Sequence, residues 1–245
     1  MRVLYFSAHQ IQAYFWRGGE CTLEDTFDCE APGAHFDAYL KTHRRSLFAV
    51  VANVADEGFH HETIPFLQSR DRAVVVSRRL NQLFQNSPLS VAVSLGYEKS
   101  RRKDEKLALL GLTNAALFDP AIKAMRAAEV KVAGIYSLPL LASAILERLK
   151  VTTTRCLLVT VQDNTIRQTY FDNGNLVISR LAPLGDSSAI GVTHAVGTEV
   201  ARFQQYLLSQ RTITRNDSLD VHIVLHQDLA QSAVSTLQGS EQLQF

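Results

Sequence analysis

Two stretches of the chain follow one pattern: RVLYFSAHQIQAYFWRGG at residues 2–19 and RCLLVTVQDNTIRQTYFDNG at residues 155–174. Each has a basic residue, an apolar strand, a hydroxyl residue, a polar turn, an aromatic-bearing strand and a glycine turn, which predicts a β-hairpin. In this pairing Ser7 lies opposite Thr160. The repeat predicts an internal duplication, and therefore an α/β chain of two lobes, each with a three-strand meander followed by helices.

The predicted lobes cover residues 1–150 and 151–245, with a threonine run at 152–154 as the hinge. The first lobe is expected to carry an inserted subdomain around residues 35–135. Within the first lobe, apolar periodicity and turn residues predict a strand at 47–54, a break at 56–58, a helix at 71–84, strands at 89–95 and 107–112, and a helix at 115–128. In the second lobe they predict a helix at 192–208, a strand at 219–225 and a helix at 230–237.

The composition is that of a globular protein with a substantial core, since 46% of the residues are hydrophobic and 20% are charged. The net charge of +1 gives no overall attraction to nucleic acid or to an anionic membrane. Three cysteines without metal-type spacing are expected to be reduced thiols, although Cys21 and Cys29 are near enough in sequence to approach one another. We find no signal peptide and no apolar run of membrane-spanning length. The last residues, GSEQLQF, end neither a helix nor a strand, and we expect the natural chain to continue beyond them.

The duplicated meander resembles the actin-like ATPase fold, a ribonuclease H-like architecture in which two lobes grip a nucleotide between paired hairpins. More narrowly, the chain is similar to actin-like proteins of type IV pilus assembly (the PilM type) and to cytoplasmic domains of type II secretion platform proteins (the GspL type). The pieces that carry this resemblance run in order over nearly the whole chain. They are the N-terminal meander, Ile64-Pro65 before the helix at 71–84, the block LALLGLTNAALFDPAIKAMRAAEVKVAGIYSLPLLASAIL at 107–146, the hairpin with Asn173-Gly174 and Ser179-Arg180, and EVARFQQYLLSQ at 199–210.

The nucleotide motifs of active relatives are degenerate in this chain. The resemblance implies an aspartate and a glycine in the first phosphate loop, an aspartate and a glycine in the second, and a Gly-Gly pair on the adenosine side. The residues at or beside these positions are Ser7, His9, Thr160, Gln162, Asp163, His226 and Gln227. Mg²⁺ in such sites is held through carboxylates, and side chains in place of turn glycines hinder the approach of backbone amides to phosphate. We therefore expect no catalytic residue, no metal site and no cofactor.

What the resemblance implies about function is a non-catalytic scaffold. It would be the cytoplasmic domain of a bacterial type IV pilus or type II secretion-like platform, at the inner face of the inner membrane. Its partners would be an assembly ATPase or a short cytoplasmic peptide of a membrane protein, and a membrane segment beyond Phe245 would anchor it. The alternative is a divergent ATP-binding protein that keeps nucleotide binding or hydrolysis with Mg²⁺, using Asp163 or Asp186. A regulatory protein without an envelope role is a third hypothesis.

Two further groups of polar residues were weighed as sites. The basic run with Lys99, Arg101, Arg102 and Lys103 is predicted to be the solvated tip of a hairpin, or else a contact for anionic lipid headgroups or an acidic partner. Nucleic acid is disfavoured because no aromatic residues interleave with these cations. A metal site at His222 and His226 is disfavoured, since the two histidines lie on a predicted strand and lack the glutamate of a metalloprotease motif.

Overall fold

The computed structural model describes residues 1–99 and 101–226, together with the backbone of the short strand Leu243–Gln244. The chain forms two compact units, Met1–Leu141 and Ala142–Phe245. The lobe boundary between residues 150 and 151 stays a prediction. The helix predicted at 230–237 lies outside the described residues.

The first unit is built on a five-stranded sheet. Its strands are β1 (Arg2–Phe6), β2 (Gln10–Arg17), β3 (Glu20–Asp28), β4 (Leu47–Ala52) and β8 (Lys131–Ser137). The sheet order is β3-β2-β1-β4-β8. The first three strands form the predicted antiparallel meander, while β4 joins β1 and β8 joins β4 in parallel.

The core of the first unit lies on one face of this sheet. Strand alternation places Leu4 and Phe6 of β1 on the inward face, where both are fully buried. Helix α1 (Gly33–Thr42) packs there through Phe36 and Leu40, which are four residues apart and therefore share a helix face. Helix α3 (Asp119–Ala127) contributes buried side chains to the same cluster.

A second, three-stranded sheet is inserted between β4 and α3. Its elements are β5 (Glu57–Ile64), α2 (Ser69–Leu83), β6 (Ser90–Tyr97) and β7 (Glu105–Leu112), and the sheet order is β5-β7-β6. The structure narrows the predicted insertion around 35–135 to these elements, because β4 and β8 on either side extend the first sheet. The predicted break at 56–58 is wrong in part, since Glu57 and Gly58 already pair with β7.

The single helix predicted at 115–128 is divided in two. A 3-10 turn spans Ala115–Leu117, and α3 begins afresh at Asp119. Pro120 lies in the first turn of α3, where its missing N–H leaves no helical hydrogen bond unmade, but where it prevents the preceding turn from continuing into the helix.

The second unit repeats the topology of the first sheet. Helix α4 (Leu138–Arg148) begins in the first unit and belongs to the second from Ala142 on. The other elements of the second unit are β9 (Arg155–Gln162), β10 (Thr165–Asp172), β11 (Asn175–Pro183), α5 (Ala189–Ser209), β12 (Leu219–Val224) and β13 (Leu243–Gln244). The sheet order β11-β10-β9-β12-β13 again places an antiparallel meander beside parallel strands. Helix α5 packs on one face through residues such as Val196 and Phe203, and Ala142 and Leu146 of α4 pack on the other.

The duplication extends to an irregularity in the strand register. Leu4 pairs with Ala13 in the first meander, and its counterpart Leu157 pairs with Tyr170 in the second. The register of the next strand pair shifts directly after each of these partners, between Ala13 and Tyr14 and between Tyr170 and Phe171. Bulges of this kind are specific features of a strand pair, so their shared position confirms the predicted repeat.

None of the helices within the described residues is long and apolar enough to cross a membrane.

Candidate functional site

The first hairpin loop closes on itself. The Ser7 hydroxyl accepts a hydrogen bond from the Gln10 backbone N–H at 3.3 Å, and the Ser7 N–H donates to the Gln10 carbonyl at 2.9 Å. The Cys29 N–H donates to the His9 carbonyl at 3.0 Å. Burial, with Asp28 and Glu30 nearby, raises the pKa of the Cys29 thiol to about 12, so the neutral thiol donates to the Ser7 carbonyl at 3.5 Å. The Ser7 hydroxyl and these backbone groups are therefore engaged in hydrogen bonds that hold the loop together.

The second hairpin is longer, and its turn differs from the prediction. Gln162, expected in the turn, is the last residue of β9 and pairs with Thr165. The two turn residues are Asp163 and Asn164, with φ of 49° and 53°, which makes a two-residue turn with two left-handed residues. Asp and Asn tolerate this conformation better than other non-glycine residues, and the turn forms here without glycine for that reason.

The position for which the resemblance implied an aspartate holds Thr160, which lies beside a buried arginine. Thr160 pairs directly with Arg167 across β9 and β10, which places the two side chains on the same face of the sheet. Arg167 is buried, and its guanidinium donates to the Ser179 hydroxyl at 3.2 Å. A guanidinium group thus lies beside Thr160 in the sheet, and no sequence signal singled out Arg167 in advance.

The third predicted motif position is described in part. His226 is exposed and follows the end of β12 at Val224. Gln227 lies outside the described residues. Within the part of the chain that the structure describes, no group of three or more His, Cys, Asp or Glu side chains is placed to hold a metal ion.

The basic run lies where the sequence predicted, in the connection between β6 and β7. The Glu98 N–H donates to the Asp104 carbonyl at 2.8 Å and closes this connection. Lys99, Arg101, Arg102 and Lys103 are all exposed. The only ion pair found for these four cations in the described residues is a long one of 3.9 Å from Arg102 to Asp104.

The first unit also contains a groove that sequence reasoning did not locate, called here the β8 groove. It has a volume of about 320 Å³, within the range of ligand pockets. Its walls come from the inserted sheet, from the segment before β6 and from the end of β8. The lining residues are Glu57, Gly58, Phe59, Pro88, Leu89, Ser90, Val91, Leu110, Gly111, Leu112, Ile135, Ser137 and Leu140.

Two features of the β8 groove suit a polypeptide occupant. Strand β8 is the last strand of its sheet within the described residues, so its outer backbone groups lie at an open edge. The Ser137 hydroxyl oxygen is buried in the groove wall and has no hydrogen-bond partner among the described residues. A second cavity of about 630 Å³ continues the groove along β8 and shares Pro88, Leu89 and Ile135 with it.

Comparison with known proteins identifies the fold. The structure of a PilM–PilN type IV pilus biogenesis complex matches with a TM-score of 0.57 at 10% identity, over 94% of this chain and 85% of that one. This match confirms the actin-like fold that the sequence predicted. No protein-family model and no curated protein sequence matches the chain.

Two further structures overlap less closely. The cytoplasmic domain of EpsL, an inner-membrane component of the type II secretion system of Vibrio cholerae, gives a TM-score of 0.45 at 10% identity, over 97% of this chain and 95% of that one. A Bacteroides thetaiotaomicron protein with an actin-like ATPase fold and unknown function gives 0.46 at 10% identity, over 96% and 85%. Scores below one half add nothing to the assignment of the fold.

Proposed function

We propose that this chain is a non-catalytic scaffold domain of a type IV pilus-like or type II secretion-like platform, at the inner face of a bacterial inner membrane. The observation that carries the proposal is the β8 groove, which is mostly apolar and lies beside an open strand edge in the first unit. The chain as a whole has a fold similar to that of the PilM–PilN type IV pilus biogenesis complex.

The groove is suited to an extended peptide from a membrane partner. A peptide strand added to an exposed sheet edge gains main-chain hydrogen bonds, while alternate side chains enter neighbouring pockets. Ile135 and Leu110 offer an apolar pocket wall, and the buried Ser137 hydroxyl offers a hydrogen bond. A groove of this kind binds a short cytoplasmic segment without any catalytic group. An assembly ATPase would be recruited through a separate surface.

The absence of catalysis is supported by the turns of the two hairpins. The Ser7 hydroxyl accepts a hydrogen bond from the Gln10 N–H of its own loop. Thr160 lies beside the buried guanidinium of Arg167. Neither Ser7 nor Thr160 has a carboxylate, the group through which proteins usually hold Mg²⁺. No cofactor is part of the proposal.

The test is peptide binding with a pair of matched variants on β6. Val91 lines the β8 groove and is 46% exposed, and Val93 follows on the same strand face, is 41% exposed and does not line the groove. The probes are synthetic peptides that cover the cytoplasmic N-terminal segments of single-span membrane proteins encoded beside this chain, titrated by calorimetry. We expect Val91→Asp to weaken binding at least about tenfold, because it buries a charge in an apolar contact, and Val93→Asp to leave it unchanged.

Equal peptide affinities of the wild-type protein and the Val91→Asp variant would show that the peptide binds outside the β8 groove. A failure of every such peptide to bind the wild-type protein would refute the peptide scaffold itself.

A further inference from the structure

One end of the inserted sheet combines exposed aromatic rings with exposed cations. At this end β5 ends, α2 begins and the chain turns from β6 into β7. Ile64 at the end of β5 and Tyr97 at the end of β6 both pair with Glu105 at the start of β7, so these segments lie side by side. We call this end the basic–aromatic tip. It consists of Phe66, Arg70, Tyr97, Lys99, Arg101 and Lys103.

The aromatic part of the tip is assembled by the fold from two separate segments. Phe66 follows β5 and is 56% exposed, and Tyr97 ends β6 and is 55% exposed. Their ring centroids lie 6.1 Å apart, at an angle of 55° between the planes. The rings pack on each other and leave one shared apolar surface in solvent. No local sequence pattern predicts this pair, since the two aromatic residues are far from each other along the chain.

The cations around this pair exceed the nearby carboxylates. Arg72 is bound to Glu105 by two hydrogen bonds, Lys106 lies 4.0 Å from Glu98, and Arg102 lies 3.9 Å from Asp104. Once these pairs are set aside, the four tip cations face a single further exposed carboxylate among the described residues of this end, that of Asp71. The tip is therefore basic, although the chain as a whole carries a net charge of only +1.

Two contacts hold the base of the tip. The bidentate contact between Arg72 and Glu105, at 2.7 and 3.0 Å, joins the first turn of α2 to the start of β7. The Glu98 N–H donates to the Asp104 carbonyl and joins the two ends of the connection that carries Lys99, Arg101 and Lys103.

We infer that the basic–aromatic tip binds the surface of an anionic phospholipid bilayer. Aromatic side chains favour the headgroup level of a membrane, and lysine and arginine beside them gain from the negative surface potential. Single-stranded nucleic acid is the opposing occupant, because bases also stack on exposed aromatic rings beside cations, and the experiment below includes it. This inference does not depend on the β8 groove, because none of the tip residues lines it.

The primary experiment is co-sedimentation of the intact chain with phospholipid vesicles. Vesicles of phosphatidylglycerol mixed with phosphatidylcholine are compared with vesicles of phosphatidylcholine alone, at low and at raised salt. We expect binding to the anionic vesicles that weakens as salt rises, and little binding to the neutral ones. Equal binding to both vesicle types, or equal affinity for a single-stranded oligonucleotide, would overturn the inference.

Variants separate the contribution of the charges from that of the rings. Reversal of Lys99, Arg101 and Lys103 to glutamate is expected to weaken vesicle binding by at least about a hundredfold, at roughly fivefold for each cation removed. Phe66→Ser is expected to weaken it about tenfold, because it removes an apolar ring from the interface. The matched controls are Arg17→Glu and Leu23→Ser, exposed positions on β2 and β3 of the other sheet of this unit, and both should bind as the wild-type protein does.

A fluorescence measurement locates the contact directly. Trp16 is the only tryptophan, so Phe66→Trp in a Trp16→Phe background places a single probe in the tip. We expect its emission to shift to shorter wavelength when anionic vesicles are added, and to stay unchanged with neutral vesicles. An unshifted emission under conditions where the protein co-sediments would show that another surface binds the membrane, and would refute the inference.

Discussion

At Gly111 the backbone of β7 passes directly under the ring of Phe84. A Cβ atom at Gly111 would lie 2.5 Å from Cγ of that ring, and one at Gly58 on the neighbouring strand would lie 2.6 Å from its Cε1. Phe84 is 1% exposed, so the ring has no room to move away. Gly58 and Gly111 therefore leave the space in which the ring of Phe84, just after α2, packs against the inserted sheet.

This close approach leads to a stability prediction. Gly111→Ala should lower the free energy of unfolding by about 1–3 kcal/mol, because the added methyl overpacks a buried ring. Urea denaturation followed by circular dichroism measures the change. Gly185→Ala serves as the control, since a Cβ there meets no atom within 4 Å and its backbone needs no left-handed conformation. An unchanged midpoint for Gly111→Ala would mean that the ring has another place to go.

Among the elements, α2 and β7 are joined by an ion pair that the sequence did not reveal. Glu105 is buried, and the Arg72 hydrogen bonds hold the pKa of its carboxyl below the ordinary value against the opposing effect of burial. A carboxyl with a lowered pKa in the folded state stabilises the protein above its ordinary pKa of about 4.3, and that contribution is lost as the pH falls through the folded-state value.

The Arg72–Glu105 pair predicts how stability depends on pH. Glu105→Gln should lower the free energy of unfolding by about 2 kcal/mol near neutral pH, because the partly exposed Arg72 guanidinium loses the buried charge that it binds. The difference between variant and wild type should disappear as the pH falls below the ordinary carboxyl pKa. Denaturant titrations across the acid range measure both. Glu62→Gln is the control, since its 3.0 Å contact with Arg79 lies at the surface and should matter by less than about 1 kcal/mol.

The elements themselves followed from the sequence with few errors. Alternating and helical apolar patterns predicted every described strand of both meanders and the position of α5, because one-sided burial leaves a period in the sequence. The errors lie where a local rule was overruled: Pro120 divides a helix that its apolar pattern continues, and Gln162 extends a strand that was expected to turn.

For the molecule as a whole, the two sheets share topology and bulge position, yet their hairpin turns have diverged. The first turn is closed by Cys29, and the second is a two-residue turn at Asp163 and Asn164 beside the Thr160–Arg167 pair. The framework of a nucleotide-binding fold is thus retained by packing, which does not depend on the turn residues. The chemistry of such a fold resides in those turns.

Nucleotide binding therefore gives the last prediction. A titration of a fluorescent ATP analogue with Mg²⁺ should show no saturable binding, and the rate of ATP hydrolysis should match the uncatalysed background, because the carboxylate and the glycines that would hold metal and phosphate are replaced. Saturable binding that disappears in Asp163→Ala would contradict the scaffold proposal and support the divergent ATP-binding alternative. Asp172→Ala, at the other end of β10, is the control.

The sequence by itself determined the class of fold, the order of the elements and the duplication. These are carried by residues close together in the chain, through apolar periods and turn chemistry. Only the tertiary structure decided the β8 groove and the basic–aromatic tip. Each of these joins residues from different strands, and which strands become neighbours depends on how the whole chain buries its apolar surface, a property that no local pattern records.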